Sequence, residues 1–342
     1  MRWWSLLELD DNTKRAIQER IDAIDAQMKK ILLEENPFLL PEKWYRDDPI
    51  VQSIWPGGKR LRPLLCLLSC EATCGNWKRA LPSSAGIEFL HTFTLVHDDV
   101  MDRSLLRRGR PTVYSEWGES VAIAAGDALY NLAIKSILRN LDVEGVTMEQ
   151  IKKILDLTTR KCFSLARGQT IDILSEKTMD VTIDDYIKMV ELKTSPLMEL
   201  SLMAGAIIGG ADDQEVHLFE ELGRELGKAF QIQDDVLDVE GIRTGKPVGL
   251  DLQRRKKTII VIHAMENLND TDGKRLKEFL KGGMVNFGEL MDIFRKTGSI
   301  DFAKRKAREY LVNVKTKIQM LEDNPGKRYL EKLVDYVANR VR

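Results

Sequence analysis

Apolar residues recur every three or four positions along most of this chain, as they do on the buried face of an amphipathic helix. The clearest such stripe, in residues 12–33, consists of Ile17, Ile21, Ile24, Met28 and Ile31. Alternation with a period of two, bounded by turn residues, is hard to find, so the pattern predicts no strand. The sequence therefore predicts an all-α protein of about a dozen helices.

Polar residues at the ends of these apolar segments predict where helices begin. Asn12 is in position to cap the first helix, and Pro63 could start the helix that follows GGKRLRP (residues 57–63). Three pairs have the spacing of capping boxes: Thr147 with Gln150, Thr182 with Asp185, and Asp212 with Glu215. The glycine-rich stretch VEGIRTGKPVGLDL, residues 239–252, is typical of a functional loop. No linker divides the chain, so we predict a single domain over residues 1–342, in which about residues 1–50 form an N-terminal helix and lead-in.

Composition excludes several classes of protein. Lys and Arg total 52 against 53 Asp and Glu, and this balance argues against a nucleic-acid partner. The chain lacks a run of about 18 apolar residues, and its start, MRWWSLLELDD, does not resemble a signal peptide, so no membrane span is expected. Cys66, Cys70 and Cys74 fall on one stripe of one helix, where core-facing thiols are favoured over a metal or redox site. We therefore expect a cytoplasmic protein.

Two acidic clusters share one spacing. The first lies in LVHDDVMDRSLLRRGRPT (residues 95–112) and the second in FQIQDDVLD (residues 230–238); their members are Asp98, Asp99, Asp102, Asp234, Asp235 and Asp238. In a helix, residues four apart lie on one face, about 6 Å apart along the axis. Apolar neighbours indicate that both helices pack into the core, where paired carboxylates need a counter-charge. Divalent Mg²⁺ fits this need, although two solvated acidic faces remain an alternative.

Basic residues form separate groups. Lys59 and Arg62 of GGKRLRP are predicted to lie near a helix N-terminus, where free N–H groups also favour an anion. The adjacent Arg107 and Arg108 could bind phosphate oxygens in a two-pronged manner, or could be a plain surface pair. Lysines with the same potential are Lys193 in ELKTSP, Lys246 and Lys256. His91 lies on the same helical stripe as Asp98, about two turns deeper, as a diphosphate or hydrocarbon contact or as an ordinary structural histidine.

Six motifs in this order resemble one family. They are GGKRLRP, HDDVMDRSLLRRGRPT, GQTID (residues 168–172), KT (residues 193–194), FQIQDDVLD and GKPVGLDL. From about residue 50 onward the chain is similar to the trans-isoprenyl diphosphate synthases, the polyprenyl synthetase family. The DDVMD motif, with Phe93 and Thr94 before it, most resembles the short-chain farnesyl and geranylgeranyl synthases of archaeal type. The resemblance implies the isoprenoid synthase fold, an all-α bundle around a deep central cavity, and a homodimer.

The resemblance also implies a role for each site residue. The direct ligands of about three Mg²⁺ ions would be Asp98, Asp102 and Asp234. Supporting residues around the metal waters would be Asp99, Asp235, Asp238, Gln169 and Asp172. The allylic diphosphate would contact Arg107, Lys193, Lys246 and Lys256. Isopentenyl diphosphate would contact Lys59, Arg62, His91 and Arg108. Thr194 and Gln231 would lie beside the developing carbocation, and Phe93 with Thr94 would form the floor that limits product length.

The implied reaction joins isopentenyl diphosphate to dimethylallyl, geranyl or farnesyl diphosphate. We expect geranylgeranyl diphosphate (C20) as the product, with farnesyl diphosphate (C15) second. A class I terpene cyclase is one alternative, but it has no use for an isopentenyl diphosphate site. A regulatory subunit of a hetero-oligomeric synthase is another, but such a subunit would be expected to lose an acidic motif, and both are intact.

Overall fold

A computed structural model describes residues 10–34, 48–54, 58–176, 178–241, 249–268 and 270–339, and these residues are mostly helical. In chain order the first helices are α1 (Asp11–Glu34), α2 (Pro49–Ile54), α3 (Leu61–Cys74), α4 (Leu81–Met101), α5 (Val113–Trp117), α6 (Glu119–Leu138), α7 (Met148–Ser175) and α8 (Ile183–Lys193). They are followed by α9 (Ser195–Gly209), α10 (Asp213–Glu240), α11 (Leu250–Gln253), α12 (Ile259–Glu266), α13 (Asp270–Leu280), α14 (Phe287–Lys296), α15 (Ser299–Gln319) and α16 (Pro325–Asn339). The prediction of an all-α fold is confirmed.

Helix starts follow local capping chemistry. The Thr182–Asp185 capping box opens α8, with both reciprocal hydrogen bonds present. The Thr147–Gln150 and Asp212–Glu215 pairs make the same reciprocal bonds before α7 and α10.

Two of the predicted starts were wrong. Asp10, not Asn12, accepts from the Thr13 backbone N–H at 2.9 Å, since the first helix begins at Asp11, two residues before the start that a cap at Asn12 implies. Helix α3 begins at Leu61, so Pro63 lies within its first turn rather than at its start.

One short hairpin interrupts the helices. Strands β1 (Leu106–Arg107) and β2 (Arg110–Pro111) pair antiparallel, with Arg107 opposite Arg110. Arg108 and Gly109 both have positive φ, as the two central residues of a type I′ turn require. Two-residue strands are too short to produce an alternating pattern, which explains why the sequence did not reveal them.

The chain divides into two compact units. The first comprises residues 1–161, 197–223 and 317–336. Its core includes the fully buried Leu64, Leu68 and Phe89. A buried ion pair, Arg20 with Glu71, joins α1 to α3, and its N···O distance is 2.6 Å.

The second unit comprises residues 162–196, 224–316 and 337–342. Its core consists largely of residues from α8, α10, α12 and α14, and it includes Val190, Ile232, Ile260 and Phe294. The single-domain organisation stays a prediction.

Helix α6 is the most membrane-like part of the described chain. With the short turn that follows, it forms a segment, Glu119–Asp142, long and apolar enough to cross a bilayer, at a mean hydropathy of 1.4. However, 44% of that window is buried inside the protein, and the core helix of a globular protein has the same length and composition. These properties are therefore weak evidence for a span.

Candidate active site

The first acidic motif lies in the last turns of α4, in the first unit. The backbone N–H of Asp102 donates to the Asp98 carbonyl at 2.8 Å, so the helical turn is intact and the two carboxylates project from one face. Asp99 is buried and accepts a two-pronged contact from Arg107, with Nε at 2.9 Å from Oδ2 and Nη2 at 2.8 Å from Oδ1. The hairpin thus brings Arg107 into contact with Asp99 of the acidic motif that precedes the hairpin in the chain. Its guanidinium is held by a carboxylate here, and its role toward a diphosphate stays a prediction.

The described part of the GGKRLRP motif contains an anchoring residue that was not among the predicted site residues. Arg60 is 3% exposed and has a φ of 50°, which is rare for a residue other than glycine. Its Nη1 donates to Glu88 at 2.7 Å and its Nε to Asp25 at 2.8 Å. Burial lowers the pKa of Arg60, but the carboxylates of Glu88 and Asp25 outweigh this effect and raise it overall. Lys59, beside this anchor, is exposed, with its ammonium 5.3 Å from the centre of the Tyr336 ring.

Arg62, His91 and Arg108 lie around the same anchor. Arg62 Nη1 donates to Nε2 of His91 at 3.3 Å, and since a guanidinium cannot accept, the neutral imidazole has its proton on Nδ1. Burial, reinforced by the positive charges of Arg62 and Arg108, holds the pKa of His91 well below 6.5. A Cβ on Gly58 would lie 2.9 Å from an Arg108 nitrogen and 3.4 Å from a Glu88 oxygen, so Arg108 also lies close to Glu88. This part of the first unit therefore concentrates positive charge, which suits an anion.

Phe93 and Thr94 lie on different sides of α4. At about 100° per residue, Thr94 is about 40° around the helix from Asp98 and Phe93 about 140°. The Phe93 ring makes edge contacts with His97 (centroids 4.8 Å apart) and with Tyr130 of α6 (5.5 Å). Thr94 therefore shares the carboxylate face, while Phe93 packs between α4 and α6.

In the second unit, Asp172 of α7 joins two of the predicted allylic-diphosphate lysines. Its Oδ2 is 2.5 Å from Lys193 Nζ and 3.6 Å from Lys256 Nζ. Burial raises the pKa of Asp172, but the two ammonium groups outweigh it and lower the value overall. Gln169, one turn earlier, is 6% exposed. The ammonium groups of Lys193 and Lys256 are therefore gathered at one carboxylate.

Two glycines hold the segment that contains Lys193 and Thr194. A Cβ on Gly168 of α7 would lie 2.5 Å from the backbone nitrogen of Lys193. A Cβ on Gly227 of α10 would lie 2.5 Å from the Cα of Ser195. Only glycine allows such close approach of backbone on both sides.

The second acidic motif, on α10, is tied to a hydrogen-bonded chain. Asp235 is 2% exposed; Tyr186 Oη donates to its Oδ2 at 2.6 Å, and Gln231 Nε2 to its Oδ1 at 3.0 Å. Thr194 Oγ1 donates in turn to Gln231 Oε1 at 2.8 Å. Burial and the carboxylate of Asp251 raise the pKa of Asp235 to about 8. The predicted carbocation residues Thr194 and Gln231 are therefore in direct contact.

The other two carboxylates of this motif differ in environment. Asp234 is partly exposed. Asp238 caps α11, because its Oδ1 accepts from the backbone N–H of Leu250 at 3.1 Å and its Oδ2 from that of Asp251 at 3.0 Å. Lys246 lies outside the described residues.

In the part of the chain that the structure describes, the predicted site residues thus form several contacting sets. They include Arg107 with Asp99, Arg62 with His91, Asp172 with Lys193 and Lys256, and Thr194 with Gln231 and Asp235. Sequence reasoning missed Glu88 and Tyr186. Glu88 lies one helical turn before His91 and Tyr186 two turns before Lys193, so helical spacing could have indicated both.

Within the described ranges, no three His, Cys, Asp or Glu side chains are arranged to hold a metal ion. The donors that fit Mg²⁺ are pairs instead: Asp98 with Asp102, and Asp234 with Asp238, one turn apart on their helices. Because Mg²⁺ is usually held by one or two carboxylates plus substrate phosphates, each pair suits it chemically.

Comparison with known proteins identifies the family. Residues 43–297 match the family described as Polyprenyl synthetase. The short chain isoprenyl diphosphate synthase of Methanothermobacter thermautotrophicus is 38% identical over 290 residues, 84% of this chain and 88% of that protein. The geranylgeranyl diphosphate synthase of Methanosarcina mazei is 37% identical over 328 residues, 95% of this chain and 97% of that protein. The crystal structure of geranylgeranyl pyrophosphate synthetase from Pyrococcus horikoshii has a TM-score of 0.86 and 34% identity, covering 96% of this chain and 99% of the other.

Together with these relatives, the all-α fold, two acidic motifs and separate basic groups identify an enzyme of prenyl transfer. The chain belongs to the polyprenyl synthetase family. The resemblance predicted from the six motifs is confirmed.

Proposed function

We propose that this prenyltransferase joins isopentenyl diphosphate to an allylic diphosphate and makes mainly geranylgeranyl diphosphate, C20. The observation that carries the proposal is the pair of DDxxD motifs, on α4 and α10, with Arg107 at Asp99 in the first unit and Lys193 with Lys256 at Asp172 in the second. The three relatives reported above are named short chain isoprenyl or geranylgeranyl diphosphate synthases, which supports the C20 assignment. A C15 product is the second expectation.

The chemistry balances without any oxidant or reductant. The allylic C–O bond breaks and its electron pair leaves with diphosphate, so an allylic cation forms. The double bond of isopentenyl diphosphate supplies the pair for the new C–C bond, and loss of a proton to the departing diphosphate restores a double bond. The first step is the difficult one, because negative charge grows on the leaving group while a cation is exposed.

Residues of this chain meet both demands. Lys193 and Lys256 are gathered at Asp172, and we expect their ammonium groups to stabilise the departing diphosphate. Mg²⁺ ions bound at each acidic motif, by Asp98 and Asp102 at one and by Asp234 at the other, would neutralise diphosphate charge as it develops. The Thr194 and Gln231 oxygens would lie beside the cation.

A second diphosphate, that of isopentenyl diphosphate, would bind at the GGKRLRP loop. Lys59, Arg62, His91 and Arg108 supply the donors there, and the neutral His91 adds a hydrogen bond without a further charge. This substrate does not ionise, so these residues contribute binding rather than leaving-group stabilisation.

A homodimer in the cytoplasm completes the proposal. Helix α6 leaves Ile123 and Leu138 on its surface, 42% and 41% exposed, and a second copy of the chain could cover them. Light scattering of the purified protein measures the assembly, and a monomer at all concentrations would contradict it.

The test of function is turnover by the purified protein alone. It is incubated with Mg²⁺, isopentenyl diphosphate and each of the C5, C10 and C15 allylic primers, and the products are sized. We expect chain elongation to C20. Cyclised hydrocarbons without use of isopentenyl diphosphate would indicate a terpene cyclase, and no turnover without a partner protein would indicate a regulatory subunit.

The acidic motifs are tested by substitution. Asp98→Ala or Asp234→Ala should lower kcat at least about 100-fold, because each removes a ligand used mainly to stabilise the departing diphosphate. Asp301→Ala, at an exposed position in the first turn of α15, is the matched control and should leave kcat unchanged. Near-normal kcat in either motif variant would contradict the metal assignment.

A further inference from the structure

Helix α8 connects a buried tyrosine to the proposed reaction centre. Tyr186, Val190 and Thr194 are four residues apart and therefore share one face. Tyr186 is 3% exposed and lies in the first turn of the helix, while Thr194 is its C-terminal cap. The hydroxyl of Tyr186 and that of Thr194 both reach side chains of α10, namely Asp235 and Gln231.

The direction of each hydrogen bond in this chain is fixed by chemistry. The amide nitrogen of Gln231 can only donate, and it donates to Oδ1 of Asp235, while Tyr186 Oη donates to Oδ2 of the same carboxyl group. The amide oxygen of Gln231 is thereby turned toward Thr194, and it accepts the only hydroxyl proton of that residue. The lone pairs of Thr194 Oγ1 are consequently left for another electron-poor group.

We propose that Tyr186 is a positioning residue that fixes the direction of this chain, so that Thr194 presents oxygen lone pairs to the allylic cation. Tyr186 touches neither substrate nor metal in this scheme; it holds Asp235, which orients Gln231, which orients Thr194. The inference rests on the proposed function and deepens it by assigning the device that sets the polarity of the cation site.

Loss of the Tyr186 hydroxyl leaves Asp235 with one donor fewer, so its carboxylate and the Gln231 amide can rotate. A misplaced group near a reaction centre can cost about 100-fold in rate. We therefore expect Tyr186→Phe to lower kcat about 10- to 100-fold and to leave the KM for isopentenyl diphosphate within about twofold. Tyr310→Phe is the matched control, because the contacts of Tyr310 with Lys228 and Lys306 are made by its ring, which phenylalanine retains.

Two further measurements separate positioning from a general structural role. Calorimetry of a non-ionising thiolo analogue of the allylic diphosphate with Mg²⁺ should give the same affinity for Tyr186→Phe as for the wild type, within about twofold. A 4-aminophenylalanine at position 186 places an N–H donor where the hydroxyl was and should restore most of the lost kcat. It also tests the proposal if the phenylalanine variant fails to fold.

A double-mutant cycle with Thr194→Val gives the decisive readout. If Tyr186 acts through Thr194, the second substitution adds little to the first, and the combined loss in kcat is far below the product of the two separate losses. Multiplying losses would overturn the proposal, as would an unchanged kcat in Tyr186→Phe or a loss matched by weaker analogue binding. Failure of the proposed function is distinguishable, since it would appear first as absent elongation by the wild type.

Discussion

Arg60 contacts two carboxylates that differ in exposure, and this difference sets the cost of removing either. The side chains of Arg60 and Glu88 are 3% and 4% exposed, whereas that of Asp25 is 38% exposed. Both N···O distances are short, 2.7 and 2.8 Å. Glu88→Gln and Asp25→Asn each remove one negative charge and keep the shape of the side chain, so the two variants form a matched pair.

The expected magnitudes follow from burial. Breaking a buried ion pair by removing one partner costs about 3–5 kcal/mol, because the remaining charge stays buried and unneutralised. A pair open to solvent contributes about 0–1 kcal/mol. Glu88 also lies near Arg108, so its loss leaves two guanidinium groups without their shared counter-charge. We expect Glu88→Gln to lower the free energy of unfolding by about 3 kcal/mol and Asp25→Asn by less than about 1 kcal/mol.

Urea denaturation followed by circular dichroism measures both values, and steady-state kinetics on the same samples measures function. Because Arg60 precedes Leu61 and Arg62 at the start of α3, Glu88→Gln should also raise the KM for isopentenyl diphosphate, with kcat less affected. Equal destabilisation by the two variants would refute the argument from burial. An unchanged KM for isopentenyl diphosphate in a clearly destabilised Glu88→Gln variant would show that the Arg60 anchor does not contribute to substrate binding.

Three further outcomes are expected. Phe93→Ala deletes six ring carbons next to Tyr130 and should shift the product from C20 to C25 or longer, whereas Thr94→Phe adds a ring on the carboxylate face and should shorten the product. Unchanged product lengths, measured by chromatography, would mean that the floor lies elsewhere. Lys59→Ala should chiefly raise the KM for isopentenyl diphosphate, and Lys193→Ala should chiefly lower kcat. If steady-state kinetics show these two effects exchanged, the assignment of the two diphosphate sites is reversed. His91 in the unfolded chain takes up a proton near pH 6.5, whereas the folded residue, with its lowered pKa, stays neutral, so the free energy of unfolding falls as pH drops from 7 to 5. His91→Gln should reduce the slope of the free energy of unfolding against pH by up to about 1.4 kcal/mol per pH unit. An identical slope in the variant and the wild type would contradict this prediction.

Much of the fold was predictable because its signals are local. The capping box before α8 needs only Thr182 and Asp185, three residues apart, and the structure contains both of its hydrogen bonds. The mistaken cap at Asn12 is also local in origin. Asp10, two residues earlier, is an equally good acceptor, and only the backbone conformation determines which of the two caps the helix.

The supporting residues of the site were not predictable in the same way. Glu88 and Arg60 are 28 residues apart, and Tyr186 and Asp235 are 49 apart, so each pair is created by tertiary packing. A buried tyrosine on an apolar stripe is indistinguishable in sequence from an ordinary core residue. The pairing of Arg107 with Asp99 was hidden for another reason: it depends on the hairpin, whose two-residue strands leave no pattern.

The close packing at Gly168 and Gly227 makes these two positions intolerant of substitution. Any side chain at either position would displace the backbone beside Lys193 or Ser195, so a saturation library should be depleted of every substitution there. By contrast, the Phe93 ring contacts the rings of His97 and Tyr130. If Phe93 and Thr94 form the proposed floor, we expect substitutions that change product length to be accepted there while Gly168 and Gly227 stay invariant.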